Sequence, residues 1–313
     1  VVAYFGHKIL INTFNESIIF KLKWFLSNFF CIKTFSVYKS FNTKRFLNPA
    51  FTTDINIKAI NYSKKILKKI NNNFDIEEIF IDGIWLGDLF YDSYLKAFEC
   101  ETIDIYENKF RDFLVEFLKL YFFWKKYFNS NKIKSVVVSH GVYSLAIPLR
   151  IAIKKNIPAY IPDWEKIQSL KKTHNLFKKR ISGIDMQYKY FKKISKKKNL
   201  KNKFNLNIAK NSLKLRLEGG SNDLYYMNNL NETSKIKKYK NTSNRIKVVI
   251  YCHTFFDSPH VFGKNLFPDY KMWLDYLEQI MKRTDYLWFI KSHPNSDIKT
   301  DEYIKILSKR NKN

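Results

Sequence analysis

Three histidines follow apolar, strand-like runs of the sequence. His140 comes after KSVVVS, His253 after IKVVIYC, and His293 shortly after YLWFI. Because ligands of open α/β sheets bind beyond the carboxyl ends of the strands, these positions predict ligand contacts. A lone histidine at a strand end is more often structural. Three of the six histidines in the chain occupy this kind of position, which favours a functional role for the group.

Lys291 and His293 lie two residues apart directly after one of these strands, and Pro294 stiffens the turn. A lysine cation and a histidine N–H group can neutralise and hydrogen-bond a phosphate or diphosphate leaving group. We therefore predict that His253, Lys291 and His293 bind the phosphates of a donor. The alternative is a solvated lysine beside a packed histidine.

The loop HTFFDSPH, residues 253–260, contains two histidines and Asp257. Its spacing matches no common zinc pattern, and no fourth ligand is evident. Polar contacts to a substrate, or a carboxylate that orients a histidine, are therefore favoured over a metal site. We predict His140 and Asp257 as catalytic residues, and we expect neither a metal nor a cofactor.

Asp82 and Asp88 flank two glycines in the segment FIDGIWLGDLFYD. Paired carboxylates could perform acid/base chemistry, but turn and cap chemistry is the favoured explanation. Further along the chain, Gly141 and Tyr143 open a predicted helix beside His140. The start of a helix is a ready site for an anion or a sugar hydroxyl, because its first N–H groups are unpaired. We predict that Asp88, Gly141 and Tyr143 bind an acceptor.

Two predicted βαβ units would position these side chains. The first has strands at 134–139 and 157–161 around a helix at 143–154. The second has strands at 246–252 and 286–290 around a helix at 270–282, which Asp269 caps. The 134–139 run is apolar and β-branched, as expected of a buried parallel strand, and the 246–252 run is also predicted to be buried. A short N-terminal strand and helices at 60–70 and 111–128 complete an α/β chain.

The chain is strongly basic, with 56 Lys and Arg against 28 Asp and Glu, a net charge of +28. This charge favours anionic partners such as phosphorylated substrates, anionic lipids or nucleic acid. A bias of the coding sequence toward A/T would also enrich Lys, Asn, Ile, Phe and Tyr. The chain lacks the signatures of RNA-recognition domains, zinc fingers and basic recognition helices, which argues against nucleic acid despite the basic stretch at 192–203.

The helix predicted to end near Phe30 lies in an apolar stretch, residues 18–35, that three lysines interrupt. Its longest uncharged run is nine residues, against the roughly 20 that a spanning helix needs. The helix could lie at a membrane interface, or it could belong to the core with its lysines reaching out to solvent. The three widely spaced cysteines indicate neither disulfides nor zinc, and they fit a reducing cytoplasm.

The sequence contains no GxGxxG, Walker A, GxSxG or HExxH motif. This argues against Rossmann dehydrogenases, P-loop NTPases, α/β-hydrolases and zincins. Four other segments of the sequence resemble a family. HTFFDSPHVFGKNLFPDYKMWLDYLEQI and DYLWFIKSHPN are similar to the carboxyl-terminal domain of bacterial capsule and surface-polysaccharide biosynthesis proteins, including the capsular Kdo transferases. IDGIWLGDLFYDSYLKAF and SHGVYSLAIPLRIAIKKNIPAY resemble the amino-terminal domain of the same group. The Lys-x-His-Pro ending is also similar to the glycerophosphotransferases of teichoic-acid synthesis.

This resemblance implies a GT-B-like α/β fold, in which two Rossmann-like domains face a cleft. Residues 1–185 would be the acceptor domain, 186–244 a basic linker or helical arm, and 245–313 a truncated donor domain. The implied activity is metal-independent transfer of a sugar from a nucleotide-sugar donor to a glycan or glycolipid acceptor. We expect a cytoplasmic protein, peripheral on the inner face of the membrane. A non-catalytic polysaccharide assembly or export factor is the alternative.

Overall fold

The computed structural model describes residues 2–4, 18–162, 167–171, 192, 200–217, 244–293 and 296–311. In these residues the chain is a mixed α/β protein with small open sheets, which agrees with the predicted α/β class. It divides into two compact units. The first comprises Val1–Ile181 with Phe255–Leu274, and the second Ser182–Thr254 with Asp275–Asn313. The segment 255–274, which the sequence analysis assigns to the donor domain, therefore belongs to the first unit.

The first unit combines helices with three small sheets. Its elements in chain order are β1 Val2–Tyr4, α1 Ile18–Leu26, α2 Ser36–Ser40, β2 Arg45–Leu47, α3 Thr53–Leu67, α4 Asn73–Glu77, β3 Phe80–Ile81, β4 Ile84–Trp85, α5 Gly87–Phe98, α6 Asn108–Ser130, β5 Val136–Val137, α7 Ile147–Lys154, β6 Ala159–Pro162 and β7 Ile167–Leu170. The second unit holds α8 Leu200–Leu217, β8 Lys247–Tyr251, β9 Leu287–Lys291 and α10 Ile298–Arg310. Helix α9, Tyr270–Met281, begins in the first unit and ends in the second.

The main core of the first unit is built from helices α3, α5, α6 and α7. The helix expected at 111–128 is confirmed as α6, which is apolar around much of its circumference and buries nine side chains. Helix α5 is almost wholly buried from Gly87 to Leu95. The helix expected at 60–70 is confirmed in part, because α3 starts earlier, with Asp54 in its first turn. An acidic side chain there suits the positive end of the helix dipole.

The first predicted βαβ unit is present, because β5 pairs in parallel with β6 and α7 connects them. Strand β7 adds an antiparallel partner on the other side of β6. The prediction that the 134–139 strand is buried is wrong: the ladder covers two residues, and Val137 is 64% exposed. A sheet of three short strands offers little area on which other elements can pack, so some of its apolar side chains stay exposed to solvent.

A separate small core lies near the N-terminus. The predicted strand is confirmed as β1, which pairs in parallel with β2. Helix α1 packs on this pair through Trp24, whose indole N–H donates to the Leu47 carbonyl at 3.3 Å. Across the ranges that are described, every helix is too short or too polar to span a bilayer.

The second predicted βαβ unit is also present. Strand β8 pairs in parallel with β9, in the register Lys247↔Leu287 to Tyr251↔Lys291, and α9 connects the two strands. Asp269 caps α9 as predicted, because its Oδ1 accepts the backbone N–H of Met272 at 2.8 Å. The prediction that the 246–252 strand is buried is wrong for most of β8, in which Ile250 is the one buried residue.

Candidate functional site

The carboxyl ends of β8 and β9 bring two of the predicted phosphate-binding residues together. His253 lies two residues after the end of β8, directly after Cys252. His293 lies two residues after the end of β9. Their imidazole rings have centroids 5.1 Å apart, at an angle of 39°. Both side chains are half-buried, which leaves part of each ring accessible. Two strands that run in parallel therefore deliver two imidazoles to one point.

Lys291, the third residue of this set, is the last residue of β9 and is exposed. It lies opposite Tyr251 in the ladder, and its Nζ is 5.8 Å from the centre of the Tyr251 ring. The backbone N–H of Cys252 donates to the Lys291 carbonyl at 2.9 Å, so the pairing extends to the base of the two histidines. We call His253, Lys291 and His293 the strand-end cluster. One cation and two imidazoles suit a phosphate or another anion.

In the first unit, Tyr143 and Asp257 are in contact. The Tyr143 hydroxyl donates to Asp257 Oδ1 at 3.2 Å, and it accepts a hydrogen bond from Ser258 Oγ at 2.6 Å. Asp257 itself is exposed. Tyr143 has φ +59° and Ser258 has φ +40°, values in the left-handed region that cost a residue with a Cβ energy. Strained residues of this kind concentrate at functional sites.

His140 and Gly141 lie on the same loop as Tyr143, between β5 and α7. His140 is exposed, and its Nδ1 lies 3.0 Å from Ser139 Oγ. The helix predicted from residue 143 starts as a single 3-10 turn, Ser144–Ala146, before α7. The structure therefore connects Asp257 to Tyr143, and His140 to Ser139.

Asp88 lies in a different environment from the other predicted acceptor residues. It is buried in an ion pair with Arg150, whose guanidinium also donates to the Trp85 carbonyl at 3.4 Å. Burial raises the pKa of Asp88, although Arg150 opposes this. Asp82, its neighbour in sequence, instead accepts from the Tyr121 hydroxyl and from Lys125. The two carboxylates are thus in separate networks, and both are occupied by the protein itself.

A buried histidine, His260, makes contacts that the sequence analysis did not anticipate. It is 2% exposed, with Nδ1 2.6 Å from Asp92 Oδ1 and Nε2 2.9 Å from Glu77 Oε1. Burial alone would lower the pKa of His260, but the two carboxylates outweigh it and raise the pKa to about 10. Both ring nitrogens are therefore protonated at neutral pH. One feature of the sequence points to buried charge here. Asp88 and Asp92 are four residues apart in an apolar segment, which places both carboxylates on one face of a helix.

A second buried network holds Asp269, at the end of the loop that carries Asp257 and His260. Asp269 accepts hydrogen bonds from the Tyr91 hydroxyl at 2.5 Å and from Thr102 Oγ1 at 2.6 Å. The side-chain N–H₂ of Asn73 donates to both of those oxygens, at 3.1 and 3.0 Å. The loop that carries Asp257 is consequently tied to helix α5 at two points, His260 and Asp269.

Among the described residues, no group of three or more His, Cys, Asp or Glu side chains is arranged to hold a metal ion. Comparison of the chain with known proteins finds no matching family model, no matching curated protein and no matching solved structure.

Proposed function

We propose that this protein is a glycosyltransferase that moves a sugar from a nucleotide-sugar donor to a capsular or other surface polysaccharide. The observation that carries the proposal is the strand-end cluster, in which His253 and His293 lie 5.1 Å apart beside Lys291. Transfer of the sugar from a nucleotide sugar expels a nucleoside phosphate or diphosphate. The reaction therefore needs stabilisation of the negative charge that develops on this leaving group. The resemblance to polysaccharide biosynthesis proteins, which extends with gaps over residues 79–297, supports the same activity.

In this proposal the donor phosphates bind at the strand-end cluster. Lys291 supplies a full positive charge, and the two imidazoles donate hydrogen bonds to phosphate oxygens. The charge on the leaving group would then be compensated by protein side chains, without a metal ion. The two Rossmann-like domains of a GT-B enzyme, with the donor on the second domain, belong to this proposal.

The acceptor half of the proposal rests on Tyr143 and Asp257. An exposed carboxylate can take the proton from an acceptor hydroxyl as that oxygen attacks the sugar. The Tyr143 hydroxyl, held by Ser258, orients the Asp257 carboxylate through the 3.2 Å hydrogen bond. His140 and Gly141 would contact the acceptor. We assign Asp88 a structural role instead, because its carboxylate is buried on Arg150.

Donor binding can be tested by thermal unfolding of the full chain with CMP-, UDP- and GDP-sugars and CDP-glycerol. A ligand at about 100 times its Kd stabilises a protein by about 2.7 kcal/mol, which is a readable shift. We expect one nucleotide class to stabilise the protein, and we expect His293→Ala and Lys291→Gln to abolish the shift. Lys305→Gln removes an exposed charge from α10 in the same unit and should keep it.

Turnover separates the enzyme from a non-catalytic assembly factor. We expect release of free nucleotide when donor and glycan acceptor are both present, and loss of that release in Asp257→Asn with donor binding retained. Glycan binding without nucleotide release, together with no thermal shift from any donor class, would replace the glycosyltransferase with the assembly factor. We further propose that the protein works on the cytoplasmic side of the membrane.

A further inference from the structure

A set of large apolar side chains is exposed on α1, on the turn that follows it and on α2 and its end. These side chains are 54–68% exposed, and we call them the aromatic patch: Ile19, Leu22, Phe25, Phe29, Phe30, Val37 and Phe41. Ile19, Leu22 and Phe25 recur every three residues, which puts them on one side of the helix. The rings of Phe25 and Phe29 have centroids 5.6 Å apart, and those of Phe29 and Phe30 are 6.5 Å apart.

The orientation of this face is fixed by the residues on the opposite side of α1. Trp24 is buried, and its ring packs edge-on against Phe35 at 5.0 Å and Phe46 at 4.8 Å. Ser27 is also buried, and its hydroxyl donates to the Lys23 carbonyl at 2.8 Å. Because Trp24 already fills the small core, the outward side chains cannot join that core by a rotation of the helix. Exposed apolar surface on this scale is typical of an interaction site.

The charged residues of the segment that carries the aromatic patch are all basic. Between Ser17 and Thr53 the sequence has six Lys or Arg residues and no Asp or Glu. Lys23, Lys33 and Lys44 are exposed on this part of the structure. A second copy of the same surface would bring like charges together. A sheet of anionic headgroups above an apolar layer complements both features at once.

We propose that the aromatic patch docks the protein on an anionic lipid bilayer. The phenylalanine side chains would insert at the boundary between headgroups and acyl chains, while Lys23 and Lys33 contact lipid phosphates. This inference goes beyond the proposed transferase activity and does not depend on it, since it rests on α1 and its surroundings alone.

Co-sedimentation with vesicles tests the proposal on the full chain. We expect binding to vesicles of equal parts phosphatidylcholine and phosphatidylglycerol, weak binding to pure phosphatidylcholine, and release as salt is raised. A net charge of +28 could attract anionic vesicles to any surface of the protein, so matched variants are needed to locate the contact.

Two pairs of variants make that distinction. Lys23→Gln with Lys33→Gln should lower binding by roughly tenfold or more, since each basic residue near such a surface contributes about fivefold. The control, Lys132→Gln with Lys134→Gln, removes the same charge from exposed positions after α6 and should retain binding. Phe25→Ser with Phe29→Ser should likewise weaken binding. Its control is Tyr106→Ser with Leu266→Ser, at positions 79% and 84% exposed.

The exposed Cys31 sits beside Phe30 and provides a direct readout. We would attach an environment-sensitive fluorophore there in a Cys100→Ser background. Cys252 is buried, and burial raises the pKa of its thiol to about 11, which suppresses labelling. A blue shift with anionic vesicles, absent when the label is on Tyr106→Cys in a background of Cys31→Ser with Cys100→Ser, supports the proposal. Equal binding by test and control variants, or no shift at Cys31, overturns it.

Discussion

The Nδ1 atom of His260 lies 2.6 Å from Oδ1 of Asp92, and neither side chain is accessible to solvent. Glu77 contacts the other ring nitrogen, so an imidazolium lies between two carboxylates in the interior of the first unit. Burial of charge is costly unless each charge has a partner. His260 is the partner of both carboxylates, and it is supplied by the loop that carries Asp257. The stability of this unit should therefore depend on the loop.

Replacement of His260 by Ala should lower the free energy of unfolding by about 3–5 kcal/mol, because two buried carboxylates lose their counter-charge. Urea denaturation followed by circular dichroism measures this change. His140→Ala, at an exposed histidine of the same unit, is the control and should change stability by less than about 0.5 kcal/mol. Equal effects of the two substitutions would contradict the assigned network.

Stability should fall as pH rises through the alkaline range. The pKa of His260 is raised from 6.5 to about 10 in the folded protein, so the folded state holds this proton more tightly than the unfolded chain. The resulting stabilisation is fully present below pH 6.5 and is lost as pH rises toward about 10. Urea midpoints measured across this window should decline in the parent protein and decline less in His260→Gln. Parallel curves for the two proteins would refute the prediction.

The Asp88–Arg150 pair gives a second test of the buried charges. Arg150→Met alone should cost about 3–5 kcal/mol, because it leaves the Asp88 carboxylate buried without its cation. Addition of Asp88→Asn should recover part of the loss, with a coupling energy of more than about 1 kcal/mol in a double-mutant cycle. Simple additivity of the two substitutions would show that the pair does not interact in solution.

Gly87 allows α4 and α5 to approach closely. A Cβ atom there would overlap the backbone carbonyl oxygens of Ile76 and Glu77. Gly87→Ala should therefore displace Glu77 from His260, cost about 1–3 kcal/mol and flatten the alkaline decline in stability. Gly83→Ala is the control. It is strained by φ +68° and costs about 1–2 kcal/mol, but it leaves the pH dependence intact.

Much of the local structure could be predicted from the sequence. Short apolar runs predicted strands at β5, β6, β8 and β9, and Asp269 predicted the start of α9. These features depend on neighbours within a few residues, so a local pattern contains the information. The burial of the strands did not follow, because it depends on how many strands join a sheet and what covers them. Val137 is apolar and yet 64% exposed.

The buried charge networks could not be predicted for a related reason. His260 meets Asp92 and Glu77 across 168 and 183 residues, and no local pattern selects partners at that separation. Asp88 was predicted to contact an acceptor, whereas its carboxylate pairs with Arg150, which lies 62 residues further along the chain. The strand-end histidines were easier, because the rule that parallel strands end at one edge brings His253 and His293 together without knowledge of the rest of the fold.

The chain passes between the two units at 181/182, 254/255 and 274/275, and this has a consequence for synthesis. During vectorial translation, Glu77 and Asp92 leave the ribosome long before His260, which completes their environment. The first unit therefore cannot reach its final packing until about residue 274 has emerged, after much of the second unit. Such long-range closure slows folding and lengthens the exposure of nascent apolar surface to chaperones.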